Sequence, residues 1–516
     1  MVKKEFVKNA IAVCAVSLVM STVGILFRAY ASNRAGSEVM GLLQLVLSVY
    51  YPACTLASSG VYVASTRLCS ETLARKDRSI ESVLNRCLMY GAFFGIGAFL
   101  LLFFSAELIA TRWLSFPEAE IPLKILSFGL PFLSAANALQ GFFLSLRSAG
   151  YSTVLQVTED LSKIGATILL FALYLDEGPQ AALCAMVAGM AIGETLSCLF
   201  GYLLYLRKKN MGIHSAKSAN RGLFAEIVKI ALPCAFSGYL RSGIGMVESI
   251  LVPRGLEASG LTPEQTLAAM GKFEGMALPI LIFPASFLAV VSKLLVPEIT
   301  AENALGHSES NIKTTQSILK YTLSYGVFIG TFALLFGREL GMSIYHDSTC
   351  GTYLIYLAPL VPILYADRVI DGVMKGYNRQ LTTMKINLAD ALFQTAGAWL
   401  FIPKTGIIGY VSLFCVGSFF NFALSFLSLR KTCGIRFPLR EGVLRPILAS
   451  LGAILPLKLL HTLFPLSVWV WAGASVPLYL IFHRLCSDST KKTRLITRNF
   501  ERSNPNTPKQ KILSRR

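Results

Sequence analysis

Arg28, Glu194, Arg241, Glu248 and the run Asp367-Arg368 stand inside long apolar blocks. A charged side chain is tolerated there only if it faces protein or a water-filled cavity. Arg241 sits among Ser237, Ser242, Gly243 and Gly245, and Glu248 follows two helical turns later, so both project from one face. That spacing is too long for a pair within the helix; a shared cavity explains it better, with a pair to a neighbouring helix as the alternative. Glu194, in Gly193-Glu194-Thr195, could hold a proton or cation, or pair with an arginine across the bundle. Asp367, Arg368 and Asp371 follow Pro359 and Pro362, and the two aspartates share a face. Asn387, Asp390 and Gln394 form a second polar stripe at helical spacing. These groups suit ion coupling or gating, while an interhelical pair such as Arg368 with Asp390 is the plain account. Lys272 and Glu274 precede Pro279 and Pro284, which predict a kinked or interrupted helix of the kind found beside transporter sites. Arg28 lies toward the end of its block, where a snorkelling side chain is the bland reading. For Arg67, Arg147 and the Glu159/Lys163 pair, near helix ends, an interfacial role is stronger still.

Intramembrane arginines spread over both halves of the chain point to an anionic ligand, because guanidinium matches phosphate geometry and stays charged when desolvated. The expected cavity residues are therefore Arg28, Arg241, Glu248 and Lys272. The expected ion-coupling or gating set is Glu194, Asp367, Arg368, Asp371 and Asp390. No GxxxxGK[ST], HExxH or GxSxG pattern occurs, so neither a resident ATPase nor an enzyme is expected, and no cofactor is implied. Eleven cysteines, most of them inside apolar blocks, and five scattered histidines predict reduced thiols and no metal site.

The elements that must carry these residues are membrane helices. Of 516 residues 54% are hydrophobic and only 15% charged, too few to coat a soluble protein of this size. The apolar residues gather into blocks long enough to span lipid, from Asn9–Phe27 onward. The expected fold is all-α and polytopic, with about fourteen spans between residues 6 and 486. Loop charges give the spans a direction. Alternate loops carry Arg67, Arg75, Lys76 and Arg78; Arg207, Lys208, Lys209, Lys217 and Arg221; Lys375, Arg379 and Lys385; then Arg430, Lys431, Arg436, Arg440 and Arg445. The intervening loops carry only Arg34, Arg112, Arg254, Arg338 and Lys404. By the positive-inside rule both termini lie in the cytoplasm. The net charge of +19 is thus topological, and nucleic acid is not an expected partner. Residues 1–206 read as a six-helix lobe, 207–222 as a cytoplasmic inter-lobe loop, and 223–429 as a second six-helix lobe. Residues 430–486 read as two further spans, and 487–516 as a basic disordered tail whose weaker role is contact with anionic lipid.

Residues 22–44, with Gly24, Phe27, Arg28, Gly36, Glu38, Met40, Gly41, Leu42 and Gln44, resemble the stage V sporulation protein B family of polysaccharide-type flippases. Gln140-Gly141, Gln156, Glu159, Gly193-Glu194, Val252-Pro253-Arg254, Gly275-Met276-Ala277-Leu278-Pro279, Leu295-Val296-Pro297-Glu298-Ile299 and Lys375-Gly376 extend the likeness over nearly all the spans. The last two spans and the tail match only as apolar helices. Asn33 stands where the family usually has a second arginine, and Val39 replaces a glycine. The resemblance implies the superfamily of lipid II flippases and multidrug/toxin extruders: two pseudo-symmetric lobes around a cavity opening alternately to each side. It also implies a role for Arg28 in holding the diphosphate of an undecaprenyl-linked sugar.

The expected function is a flippase for a lipid-linked saccharide in the cytoplasmic membrane, with membrane lipids and envelope-synthesis enzymes as further partners. The rivals are a cation-coupled drug or metabolite exporter of the same fold, which a mid-span arginine disfavours, and a non-transporting envelope-assembly scaffold.

Overall fold

A computed structural model describes residues 2–75, 79–146, 149–174, 177–209, 222–288, 292, 299 and 308–503. Every regular element among them is helical. Arg147, Lys76, Arg78, nearly all of the 207–222 loop, Leu295–Glu298 and the tail beyond Ser503 lie outside the described residues.

Two continuous helices, Leu18–Leu73 and Gln380–Cys433, are 56 and 54 residues long. At 1.5 Å per residue each would reach about 80 Å, more than twice the hydrocarbon thickness, so neither is a single crossing. Each doubles back at a glycine with non-helical torsions, Gly36 (φ 86°, ψ 168°) and Gly406 (φ 59°, ψ −138°). Both turns use the left-handed half of backbone space, which a side chain makes costly. The first pair gives α1 (2–35) and α2 (37–75). Next come α3 (Ile80–Leu114), α4 (Pro117–Ser127 then Leu130–Ser145, bent by 42°), α5 (Ala149–Tyr174), α6 (Pro179–Lys209) and α7 (Leu223–Ala258). They are followed by α8 (263–288), α9 (Ser308–Tyr345) and α10 (Ser348–Gly376). The second doubled helix gives α11 (380–405) and α12 (407–433), and the last two are α13 (Leu439–Leu463) and α14 (Val468–Ser503).

This is the fourteen-helix, all-α membrane architecture that the hydropathy predicts. Judged one by one, α5, α8 and α14 are the weakest spans. α5 carries Glu159, Asp160 and Lys163, α8 is interrupted, and α14 ends in charged residues.

Several helices break where the sequence puts helix-disturbing residues. α8 has a π-helical stretch, Gly271–Ala277, carrying Lys272 and Glu274, and a turn at residues 283–284, as the two prolines predict. α10 passes through a 3-10 turn at Ala358–Leu360 between its prolines. α2 has a further break that no proline announces: Ser59 and Gly60 both take positive φ (41° and 73°). Neighbouring helices hold that break. Tyr90 of α3 donates to the Ser59 carbonyl at 3.0 Å, Asn137 of α4 donates to Ser58 Oγ at 2.9 Å, and Tyr239 of α7 hydrogen-bonds Ser59 Oγ. At the other end of the chain α14 runs from Val468 to Ser503, past Ser487 where the basic tail is expected to begin. Lysine and arginine are good helix formers, and no breaker intervenes before Asn504-Pro505.

The helices form two compact units. Unit one holds residues 1–297 and 378–425, hence α1–α8, α11 and most of α12; unit two holds 298–377 and 426–516, hence α9, α10, α13 and α14. Unit one has a core of Val61, Leu68, Ile80, Leu84, Tyr90, Phe142, Phe143, Leu155, Leu223 and Ile227, each at most 5% exposed. In unit two Lys458 of α13 pairs with Glu339 of α9, and the Tyr479 hydroxyl of α14 donates to the Ser324 carbonyl of α9 at 3.2 Å.

Candidate functional site

Two cavities of unit one contain three of the four expected cavity residues. The first, about 250 Å³, is walled by α1, α2, α5 and α6. Arg28 lines it together with Gly24, Gln44, Tyr51, Asp160, Lys163 and Thr167, and Met40, Met186 and Met190 give it an apolar side. The sequence gives Lys163, with Glu159, an interfacial reading, and it does not single out Asp160. The signal that places them here is spacing: Asp160, Lys163, Ile164 and Thr167 fall at i, i+3, i+4 and i+7, one face of α5. Lys163 stands 3.9 Å from Asp160 and 4.0 Å from Glu159, loose contacts that leave its ammonium able to meet a second anion.

The second cavity, about 390 Å³, lies among α2, α7 and α8 and includes Arg241, Ser242, Glu248, Ser249 and Glu274. Gln44 and Tyr51 of α2 line both cavities, so one helix face separates and serves the two. Arg241 and Glu248 share this cavity, as their spacing predicts. Lys272 lines neither cavity; the charged residue of α8 that does is Glu274, two positions on in the π-helical stretch. Tyr410 of α12 donates a hydrogen bond to Glu274.

Asp390 of α11 belongs to the same neighbourhood. It accepts from Gln394 at 3.1 Å and from Asn421 of α12 at 3.2 Å. It lies within electrostatic range of Arg241, and Glu248 in turn within range of Glu274 and Asp390. One guanidinium thus stands among three carboxylates drawn from three helices. Local spacing reveals only the Arg241/Glu248 part of this group, because the rest is assembled by packing.

Glu194 of α6 is 5% exposed, and Tyr50 of α2 donates to its Oε1. Its Oε2 is buried without a hydrogen-bond partner among the described residues and lies over Gly129, where a Cβ would sit only 2.1 Å away. A buried polar oxygen left without a partner costs free energy, which marks Glu194 out among the carboxylates of unit one. Asp367, Arg368 and Asp371 lie on α10 in unit two, with Asp367 half-buried and Arg368 exposed, whereas Asp390 belongs to unit one. Arg67 pairs with Glu71 at 2.9 Å on an exposed helix face, in keeping with its interfacial reading. Among the described residues no group of His, Cys, Asp and Glu could hold a metal ion.

Residues 6–301 match the polysaccharide biosynthesis protein family. The chain belongs to that family. It is 22% identical to stage V sporulation protein B of Bacillus subtilis (strain 168) over 96% of this chain and 99% of that one. Its fold is similar to that of the lipid II flippase MurJ in an inward closed conformation, at TM-score 0.69 and 14% identity, covering 95% of this chain and 99% of that one. It is also similar to an inward-facing MATE-family multidrug transporter of the MOP superfamily, at TM-score 0.62 and 12% identity over 82% and 98% of the two chains. The family match and the long apolar helices together describe a multi-pass membrane protein of the polysaccharide biosynthesis protein family.

Proposed function

We propose that the chain flips a lipid-linked saccharide with a diphosphate headgroup across the cytoplasmic membrane by alternating access, its termini cytoplasmic. The observation that carries this reading is the first cavity, where Arg28 and Lys163 face one space in the membrane beside an apolar methionine wall. Guanidinium and ammonium would hold the phosphates, and the methionines would accept the adjoining lipid or sugar faces. Arg241, reached past Gln44 and Tyr51, would take the headgroup at a second stage of the same path. The lobes at 1–206 and 223–429 would rock against each other to open the path to each side in turn.

The carboxylates around Arg241 support a coupling role. Glu248, Glu274 and Asp390 cannot all be ionised cheaply in one desolvated pocket, so a proton or cation would relieve them and leave when Arg241 engages an anion. Glu194 is a second proton carrier on this reading, and Asp367, Arg368 and Asp371 would act in gating. The same trio favours a second reading, a cation-coupled exporter, since acids outnumber the base there. Transport in vesicles reconstituted with an undecaprenyl-diphosphate saccharide decides between them. The flippase reading expects translocation by the wild type and at least a tenfold loss in Arg28→Ala. Transport of organic cations by both proteins, with no saccharide movement, would overturn it.

A further inference from the structure

Unit two carries a cluster of basic groups that the transport path does not use. It lies where the first turns of α9 and α13 meet the last membrane turns of α14, on the side the loop charges assign to the cytoplasm. Lys320 of α9 stands 3.4 Å from Glu441, and Arg445 of α13 stands 3.9 Å from the other oxygen of the same carboxylate. His483 of α14 lies within electrostatic range of both cations. One carboxylate therefore serves two permanent cations at loose distances, with an imidazole beside them. Arg445 is the most enclosed, its side chain 18% exposed, and its Nε is buried with no acceptor among the described residues. A guanidinium N–H so placed costs free energy unless something accepts from it. Lys320, lying against the ring of Tyr321, keeps further donors available.

The flanks of the cluster show what kind of acceptor fits. Leu444 and Leu448 on α13, and Ile481 and Leu485 on α14, are each at least 50% exposed and form i, i+4 pairs on either side of Arg445 and His483 in the chain. A ligand bound here would have an anionic head among the cations and apolar chains along those leucines and isoleucine. We infer that Lys320, Arg445 and His483 form a binding site for the phosphodiester headgroup of an anionic phospholipid of the cytoplasmic leaflet. The site is independent of the transported cargo. It would fasten α9, α13 and α14 together through a shared lipid, because the two cations and the imidazole come from three helices.

Thermal unfolding of the full-length protein in mixed micelles tests this. Phosphatidylglycerol should raise the midpoint of the wild type by several degrees, whereas phosphatidylcholine and inorganic phosphate should not. Lys320→Gln with Arg445→Gln should lose most of the rise, and Lys320→Arg should keep it. Should the double variant fail to fold, Lys320→Gln and His483→Gln each carry the same expectation singly. Arg28→Ala, and a variant with Lys491, Lys492, Arg494, Arg498 and Arg502 neutralised, should both keep the rise, which separates the site from the cargo cavity and from the basic tail. An equal rise with phosphatidylcholine, a full rise with inorganic phosphate, or a full rise in the folded variants would overturn the inference.

Discussion

The two cavities of unit one share a wall but not a chemistry. In the first, Arg28 and Lys163 face Asp160 alone among the lining carboxylates, and three methionines close the side. In the second, Arg241 is ringed by Glu248, Glu274 and, behind them, Asp390. A phosphate group would enter the first with its charge already matched. To enter the second it would need those acids neutralised. On the proposed function, the contrast would separate a place that holds cargo from one that makes holding conditional.

The largest test of that contrast is the pair Arg28→Ala with Lys163→Ala. Loss of both cations from one desolvated space should reduce binding of an undecaprenyl-diphosphate saccharide by more than a hundredfold, about 3 kcal/mol. Glu248→Gln should leave that binding within a few-fold of wild type in a filter or calorimetric assay. Equal losses in both would erase the distinction between the cavities. Next, Glu274→Gln should weaken the dependence of transport on an imposed proton or sodium gradient, read in reconstituted vesicles, with the first cavity's affinity unchanged. Gly129→Ala should follow in size. Its Cβ would sit 2.1 Å from Glu194 Oε2, so the carboxylate must move, and an overpacking cost of about 1–3 kcal/mol should lower the unfolding midpoint. Arg67→Ala should do least. Both side chains are solvent-exposed, Arg67 at 63% and Glu71 at 42%, and such pairs are worth about 0–1 kcal/mol, so neither midpoint nor transport should move measurably.

How far the sequence revealed this depends on the range of the signal. The helix count, and the turns at Gly36 and Gly406, follow from local hydropathy and glycine chemistry, which need no partner to be read. Arg28, Arg241 and Glu248 were conspicuous because a charge in an apolar block has few tolerable destinations. Lys163 was discounted for lying close to a helix end, although its i, i+3 relation to Asp160 marks a face. Asp390 and Glu274 were visible as charges, but packing alone brings them, from 149 and 33 positions away in the chain, into the neighbourhood of Arg241. An anionic ligand points to Lys272 as the cavity residue, and a regular helix gives no local sign that Glu274, two positions on, lines the space instead. The π-helical stretch alters the stagger of side chains there, and Glu274 is the one that lines the cavity.

The interruption of α2 at Ser59–Gly60 has a mechanical consequence. The first half of the helix, 37–58, supplies Gln44 and Tyr51 to both cavities, while the second half, from Val61, is seated in the core beside Ile80 and Phe142. An unbroken rod could re-aim Tyr51 only by dragging its buried half along or by giving up backbone hydrogen bonds. A rod jointed in mid-membrane behaves as two levers on one pivot. The lever that borders the two cavities would swing on a few torsions while the other stays anchored, with the hydroxyls of Tyr90 and Tyr239 holding the joint between them.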